Sequence, residues 1–227
     1  KYGALVWSGD IVSTFECFRR QVQAGLNMAI AGIPWWTTDI GGFHGARTDD
    51  PDFHRLYIRW FEYGCFCPVM RLHGNRNPQE GYGAEQIGSG SDNEIWSFGD
   101  KAYEISKKYI FLRERLRDYI RTQMKKAHED GTPMMRPVFY DFPTDQESWN
   151  VEDAYLFGPD LYVAPVMEDH VTEREVYLPD GTAWFNAWTG EKYEGGQNVT
   201  VAAPLDTIPV FVKEGADAEK LLNIFSE

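Results

Sequence analysis

Three short runs of this 227-residue chain carry an apolar stretch onto a polar side chain and then break at glycine. They are Val6-Trp7-Ser8-Gly9-Asp10, then Ile33-Pro34-Trp35-Trp36-Thr37-Thr38-Asp39-Ile40-Gly41-Gly42-Phe43, then Pro68-Val69-Met70-Arg71-Leu72-His73-Gly74. A carboxyl beside Trp7, at the end of an apolar strand, is expected to lose hydration, which favours its neutral form and suits a proton donor. Asp39, expected to be ionised, would accept hydrogen bonds from hydroxyl groups. His73 can donate from either ring nitrogen, and Arg71 can fix nearby carboxylates. Each residue also has a plainer use. Asp10 could cap a following helix, Asp39 could steady the Gly41-Gly42 turn, and His73 could be a satisfied core histidine. A metal site of Asp10, Asp39 and His73 is disfavoured, because nothing supplies HExxH or comparable local spacing.

Elements able to bring these groups together follow from periodicity. A buried strand is expected near 3–10, then a helix over 13–32 capped by Ser13, with Phe15, Phe18, Val22, Leu26 and Ala29 at helical spacing. A second strand near 33–39 leads through the Gly41-Gly42 loop to a helix over 53–64, and a third strand is expected near 66–72. Residues 74–99 carry no clear period. A long helix over 100–128, with the stripe Tyr109, Leu112, Leu116 and Ile120, ends at Asp130-Gly131. Strand–helix alternation implies parallel βα units, whose chemistry gathers at the carboxyl ends of the strands. Beyond Thr132 the pattern changes to short alternating strands, near 160–165, 173–178, 182–186, 198–202 and 208–213. Pro179-Asp180-Gly181 and Glu194-Gly195-Gly196 provide turns between them. The expected division is 1–139 for the α/β part and 140–227 for an antiparallel β-sandwich.

Bulk properties narrow the partners. A formal net charge of −13 argues against nucleic acid or an anionic membrane surface. No apolar run approaches the roughly 18 residues a spanning helix needs. Aromatic residues make up 15% of the chain, with eight Trp. Flat aromatic faces pack against the apolar faces of sugar rings, and Trp7, Trp36 and Phe43 adjoin the candidate carboxylates. Of the three cysteines, Cys17 falls in a helical pattern and Cys65 and Cys67 in an apolar strand-like run. Buried free thiols are expected, since a Cys-x-Cys pair on a strand points to opposite faces.

Trp-Ser-Gly-Asp, Trp-Thr-Thr-Asp-Ile-Gly-Gly-Phe and Met-Arg-Leu-His-Gly, together with the block from Tyr155 to Val166, resemble family 31 of the glycoside hydrolases in spacing and order. The resemblance covers essentially the whole chain. It implies the last three βα units of a (β/α)8 barrel followed by the proximal C-terminal β-sandwich, in an enzyme that cleaves α-linked glycosides with retention and without a cofactor. It also implies that Asp10 is the general acid/base. Asp39 and His73 would bind the hydroxyls of the sugar, and Trp7 and Phe43 would wall the site. Trp36 and Arg71 complete the expected substrate-binding set. The family's nucleophile, an aspartate on an earlier strand in a Trp-x-Asp context before Asn-Glu, has no counterpart here. The chain is therefore expected to be a fragment whose partner is the missing N-terminal part of the same enzyme, with an oligosaccharide or small glycoside as substrate. The wording of the second and third runs points to the α-xylosidase branch, with α-glucosidase as the close alternative. A non-catalytic carbohydrate-binding protein and a small α/β protein related only by descent are the rivals. Bacterial periplasm and cytoplasm both fit.

Overall fold

Phe18, Val22, Leu26 and Ala29 return every three or four residues and form one buried stripe on helix α1 (Phe15–Ile30). In this computed structural model, which describes residues 4–78, 90–215 and 217–226, that stripe packs beneath two short parallel strands. Strand β1 (Val6–Trp7) sets Val6 beside Trp36 and Trp7 beside Thr37 of β2 (Trp36–Thr37). The cap of α1 is Thr14, whose hydroxyl accepts from the Cys17 amide at 3.1 Å, and not the expected Ser13. Helix α2 (Pro51–Cys65) starts with Asp50 as cap and Pro51 in its first turn, and nearly every residue of its second half is buried.

The third expected strand is corrected. Phe66 and Cys67 sit in the turn that closes α2, their amides donating to Tyr63 and Gly64 carbonyls. Arg113 collects the carbonyls of Cys65, Cys67 and Pro68 at 2.6, 2.9 and 3.1 Å, satisfying acceptors that the helix end leaves open. Only beyond this turn does the chain run beside β2. Val69 N–H donates to Trp36 O at 3.2 Å and Ile40 N–H to Arg71 O at 3.1 Å, a parallel course bonded at isolated points. Cys65 and Cys67 therefore occupy a helix end and a turn, both buried and free, while the free thiol of Cys17 is half-buried.

The long expected helix is two: α3 (Gly99–Arg115) and α4 (Arg117–Glu129). They part at Leu116, where ψ is −2°. Tyr109, Leu112, Leu116 and Ile120 still share one buried stripe across the break. Residues 79–89 of the expected loop lie outside the described residues. The part described after them returns to pair Arg76 with Ser91.

The rest is antiparallel. One sheet orders β3 (Met135–Arg136), β4 (Tyr155–Phe157), β5 (Leu161–Val163), β10 (Val210–Lys213), β7 (Ala183–Asn186) and β8 (Lys192–Glu194). A second pairs β6 (Glu173–Leu178) with β9 (Gln197–Ala202). Leu156, Tyr162, Val176, Leu178, Trp184 and Phe211 fill the space between them, as in a sandwich. Strands β3, β4 and β8 and the closing helix α5 (Ala218–Ser226) were not expected; the three strands are only two or three residues long.

Arg59 and Glu62 of α2 lock the two parts together. The Arg59 guanidinium donates to the carbonyls of Val171, Ala203, Pro204 and Thr207. Buried Glu62 accepts from Arg59 at 3.1 Å and from the Tyr109 hydroxyl at 3.2 Å. A second clasp, Arg55 on Asp169 at 2.7 Å, ties the same helix to the segment before β6. With these ties in place, α2 stands as a rigid wall behind the loops that carry the polar groups.

Candidate active site

The three polar runs meet on one rim because their loops hydrogen-bond to each other. The amides of Phe43 and His44 both donate to Ile11 O, at 2.7 and 2.9 Å, and Ser13 N–H donates to His44 O at 2.8 Å. Asn75 N–H donates to Phe43 O at 2.9 Å, bringing in the third run. The Ser8 hydroxyl bonds that of Thr38 at 3.1 Å, joining the strand ends just beneath. Gly42 makes this closure possible. Its φ is +75°, and a Cβ there would stand 2.8 Å from Ser13 Cα and from Val12 O.

Asp39 lies at the bottom of the rim, with 0% of its surface exposed. Arg71 Nη1 is 3.0 Å from Asp39 Oδ1. Even so, among the described residues neither carboxylate oxygen receives a hydrogen bond of acceptable angle, so both keep acceptor capacity. Burial pushes the Asp39 carboxyl above its ordinary value; Arg71, His73 and Arg76 pull the other way, and the charge of Asp10 adds to the rise. The Arg71 guanidinium also lies over Trp7, 5.5 Å from the ring centre. Phe43 packs between His44 and His73, with ring centres 4.4 and 5.3 Å away.

Trp7, Asp39, Phe43, Arg71 and His73 are thus brought together, and Asp10 is near enough for its charge to bear on Asp39. The dry surroundings expected for Asp10 are not found: its side chain is exposed, as is Trp7 at 47%. The neighbouring β1 strand is covered on one edge only, by β2, so nothing among the described residues stands over the carboxyl. Trp36 is held apart. It is 3% exposed, and its indole presses on Gly25 of α1, where a Cβ would come within 2.6 Å of Nε1. Its contacts are those of the core, behind the rim.

Arg76 escaped the sequence reading. It is fully buried beneath the rim, and the only signs of it in the sequence are the glycines around it, Gly41, Gly74 and Gly90. His44 was also passed over, although it adjoins Phe43. The site is an open rim and not an enclosed cavity. A cleft of about 510 Å³ lined by Arg19, Gln23, Glu152, Glu168 and Arg174 lies elsewhere and contains none of these residues. The rim, with its carboxylates, imidazole and aromatic faces, is the better place for chemistry on a polyhydroxylated ligand.

The family profile described as "Glycosyl hydrolases family 31 TIM-barrel domain" matches residues 1–123, and "Glycosyl hydrolase family 31 C-terminal domain" matches residues 131–216. An α-xylosidase of Saccharolobus solfataricus is 38% identical over 216 residues, covering 95% of this chain and 28% of the relative. Alpha-glucosidase 2 of Bacillus thermoamyloliquefaciens is 35% identical over 217 residues, covering 94% of this chain and 25% of the relative. Among solved structures, a GH31 α-xylosidase from a soil metagenome, complexed with xylose, superposes with a TM-score of 0.94 at 54% identity. It is covered to 34% of its length by 97% of this chain. The chain therefore spans about a quarter to a third of these three relatives, as three βα units of their barrel followed by the antiparallel C-terminal domain. By its profiles, its fold and the order of its rim residues, the chain belongs to glycosyl hydrolase family 31.

Proposed function

We propose that this chain is the C-terminal part of a retaining α-glycoside hydrolase, most specifically an α-xylosidase. Residues 1–139 would contribute to the catalytic barrel, residues 140–227 would form the sandwich, and the N-terminal part of the same enzyme would complete the site. The observation that carries the reading is buried Asp39, whose two oxygens lack hydrogen bonds beneath a rim of Trp7, Phe43 and His73. An unsatisfied buried polar group costs about 1–3 kcal/mol, and sugar hydroxyls donating to Asp39 would recover that cost. His73 would add a further hydroxyl contact, Trp7 and Phe43 would offer apolar faces to the ring, and Trp36 would support the strand from behind.

Asp10 is proposed as the acid/base. It would protonate the leaving oxygen as the bond to the anomeric carbon breaks, then take a proton from the water that releases the sugar from the nucleophile. A nucleophile about 5 Å from Asp10 is required for retention, and the missing barrel strands would supply it. Closure of the barrel together with bound substrate would take water away from this exposed carboxyl.

The likeness to the xylose-complexed structure, at 54% identity, supports xylose over glucose in the subsite. The α-glucosidase of Bacillus thermoamyloliquefaciens at 35% keeps glucose as the second reading. The two sugars differ by a hydroxymethyl group, so the test is direct. The intact enzyme should hydrolyse p-nitrophenyl α-xyloside with a higher kcat/KM than the α-glucoside and release the α-anomer first, as followed by NMR. A preference for glucoside would move the reading to the second branch, and first release of the β-anomer would remove the retaining mechanism.

A further inference from the structure

Arg76 is a full charge buried at 0% exposure, and among the described residues no carboxylate is bonded to it. Its four hydrogen bonds all go to neutral acceptors. Nε donates to Asn93 Oδ1 at 2.8 Å, Nη1 to Gly42 O at 2.8 Å and to Ser13 Oγ at 3.3 Å, and Nη2 to Ile40 O at 3.2 Å. The guanidinium stacks over Phe53 of α2, with 4.7 Å from its carbon to the ring centre. Burial drives its own pKa down to about 10, opposed by the nearby Tyr57 and Asp39. A buried cation costs several kcal/mol when it has no ion-pair partner, so its retention calls for a task beyond packing.

The acceptors define that task. Ser13 belongs to the loop that follows Asp10. Ile40 and Gly42 bracket the turn that follows Asp39. Arg76 itself lies three residues past His73, and Asn93 lies where the 90–93 segment returns. One planar fork therefore holds the three active-site loops in register from below. Three glycines leave room for it. A Cβ on Gly74 would meet the guanidinium carbon at 2.6 Å, one on Gly90 would meet the Arg76 backbone at 2.5 Å, and one on Gly41 would approach Nη2 to 3.2 Å. Lysine cannot replace this fork, because one ammonium on a flexible stem cannot reach four acceptors in a plane.

We infer that Arg76 is the positioning residue of the sugar subsite: it fixes the loops bearing Asp10, Asp39 and His73 relative to one another. This inference rests on the glycosidase reading for its functional half, whereas the loop geometry stands independently. Arg76→Gln and Arg76→Lys are the variants, read by amide hydrogen exchange and by kinetics in the intact enzyme. Exchange at Gly42, Phe43, His44 and Ser13 should accelerate about ten-fold or more in both variants, with the core amides of α2 unchanged. KM for an aryl α-glycoside should rise about ten-fold or more, and Lys should not rescue it. Wild-type exchange at those four amides, or a lowered Tm with unchanged KM, would overturn the inference. If wild-type enzyme hydrolyses neither aryl α-xyloside nor α-glucoside, the glycosidase reading fails by itself, and the exchange data still decide whether Arg76 sets the loops.

Discussion

Asp39 has been made expensive. It is a carboxylate with no exposed surface, a single guanidinium at 3.0 Å and no well-angled hydrogen bond. Groups kept in such places commonly trade stability for binding. Asp39→Asn keeps the shape and removes the charge. It is expected to leave Tm at pH 7 equal to wild type or higher, because the burial cost goes and the partly exposed Arg71 can be hydrated. Activity of the intact enzyme should fall at least 100-fold, since an amide replaces the acceptor pair proposed to bind hydroxyls. Thermal melts with kcat/KM on the same samples check this; a large loss of Tm with activity retained would make Asp39 a turn stabiliser after all. That Asp39, His73, Trp7 and Phe43 would come together was legible from the sequence because their three runs each carry apolar residues onto a polar group and break at glycine. Trp36 adjoins the candidate carboxylate along the chain, but adjacency on a two-residue strand does not tell a rim face from a core face, and its indole lies against Gly25.

At the scale of elements, loops zipped by backbone hydrogen bonds depend on residues that keep out of the way. Gly42→Ala would place a methyl group 2.8 Å from backbone atoms of Val12 and Ser13 while forcing a side chain at φ +75°. The expected cost is roughly 1–3 kcal/mol. It should appear as a lower denaturation midpoint together with faster proteolysis near 41–45; an unchanged midpoint would mean that this loop is free to move.

The α2 latch makes a pH-dependent prediction. Burial raises the Glu62 pKa from its ordinary carboxylate range to about 8, against the opposing pull of Arg59 and Tyr109. Because the folded chain holds this proton more tightly than the unfolded one, protonated Glu62 favours folding at low pH. That advantage is lost as pH rises from the ordinary Glu value of 4.5 to about 8. Glu62→Gln keeps acceptor and donor capacity without titrating, so its Tm minus that of wild type should increase between pH 5 and pH 8. Parallel curves for the two proteins would show that Glu62 stays ionised throughout. The helices could be read in advance because their stripes are long; the third expected strand is not regular, since its apolar run begins in the turn at Phe66 and Cys67 and is then bonded only through Val69 and Arg71. Arg76 was invisible for a different reason. A loop arginine among glycines has no period, and its partners come from three separate segments.

Taken as a whole molecule, the α/β part presents an uncovered flank. Strand β1 pairs with β2 alone, and Leu5, Trp7, Val12 and Ile30 are exposed around it. Apolar surface beside an open strand edge favours association. The isolated 227-residue chain is therefore expected to show concentration-dependent association by analytical ultracentrifugation and to bind a hydrophobic dye. A monodisperse, dye-silent monomer would favour a self-sufficient α/β protein over part of a barrel. The fold class was legible because strand–helix alternation gives way to alternating strands after Thr132. The small sheet strands were not, because β3, β4 and β8 are only two or three residues long, too short to show an alternation.

The central claim is that Asp10 is the acid/base of an α-glycosidase, and leaving-group dependence in the intact enzyme carrying Asp10→Ala tests it most directly. General acid catalysis contributes typically about 100- to 10,000-fold, and only where the leaving group needs a proton. The variant should lose turnover of natural α-xylosides by that order, yet still form the glycosyl-enzyme from activated aryl glycosides at near wild-type rate. Azide should then restore release of the sugar. Uniform loss across all leaving groups without azide rescue, or unimpaired turnover of natural substrates, would contradict the assignment.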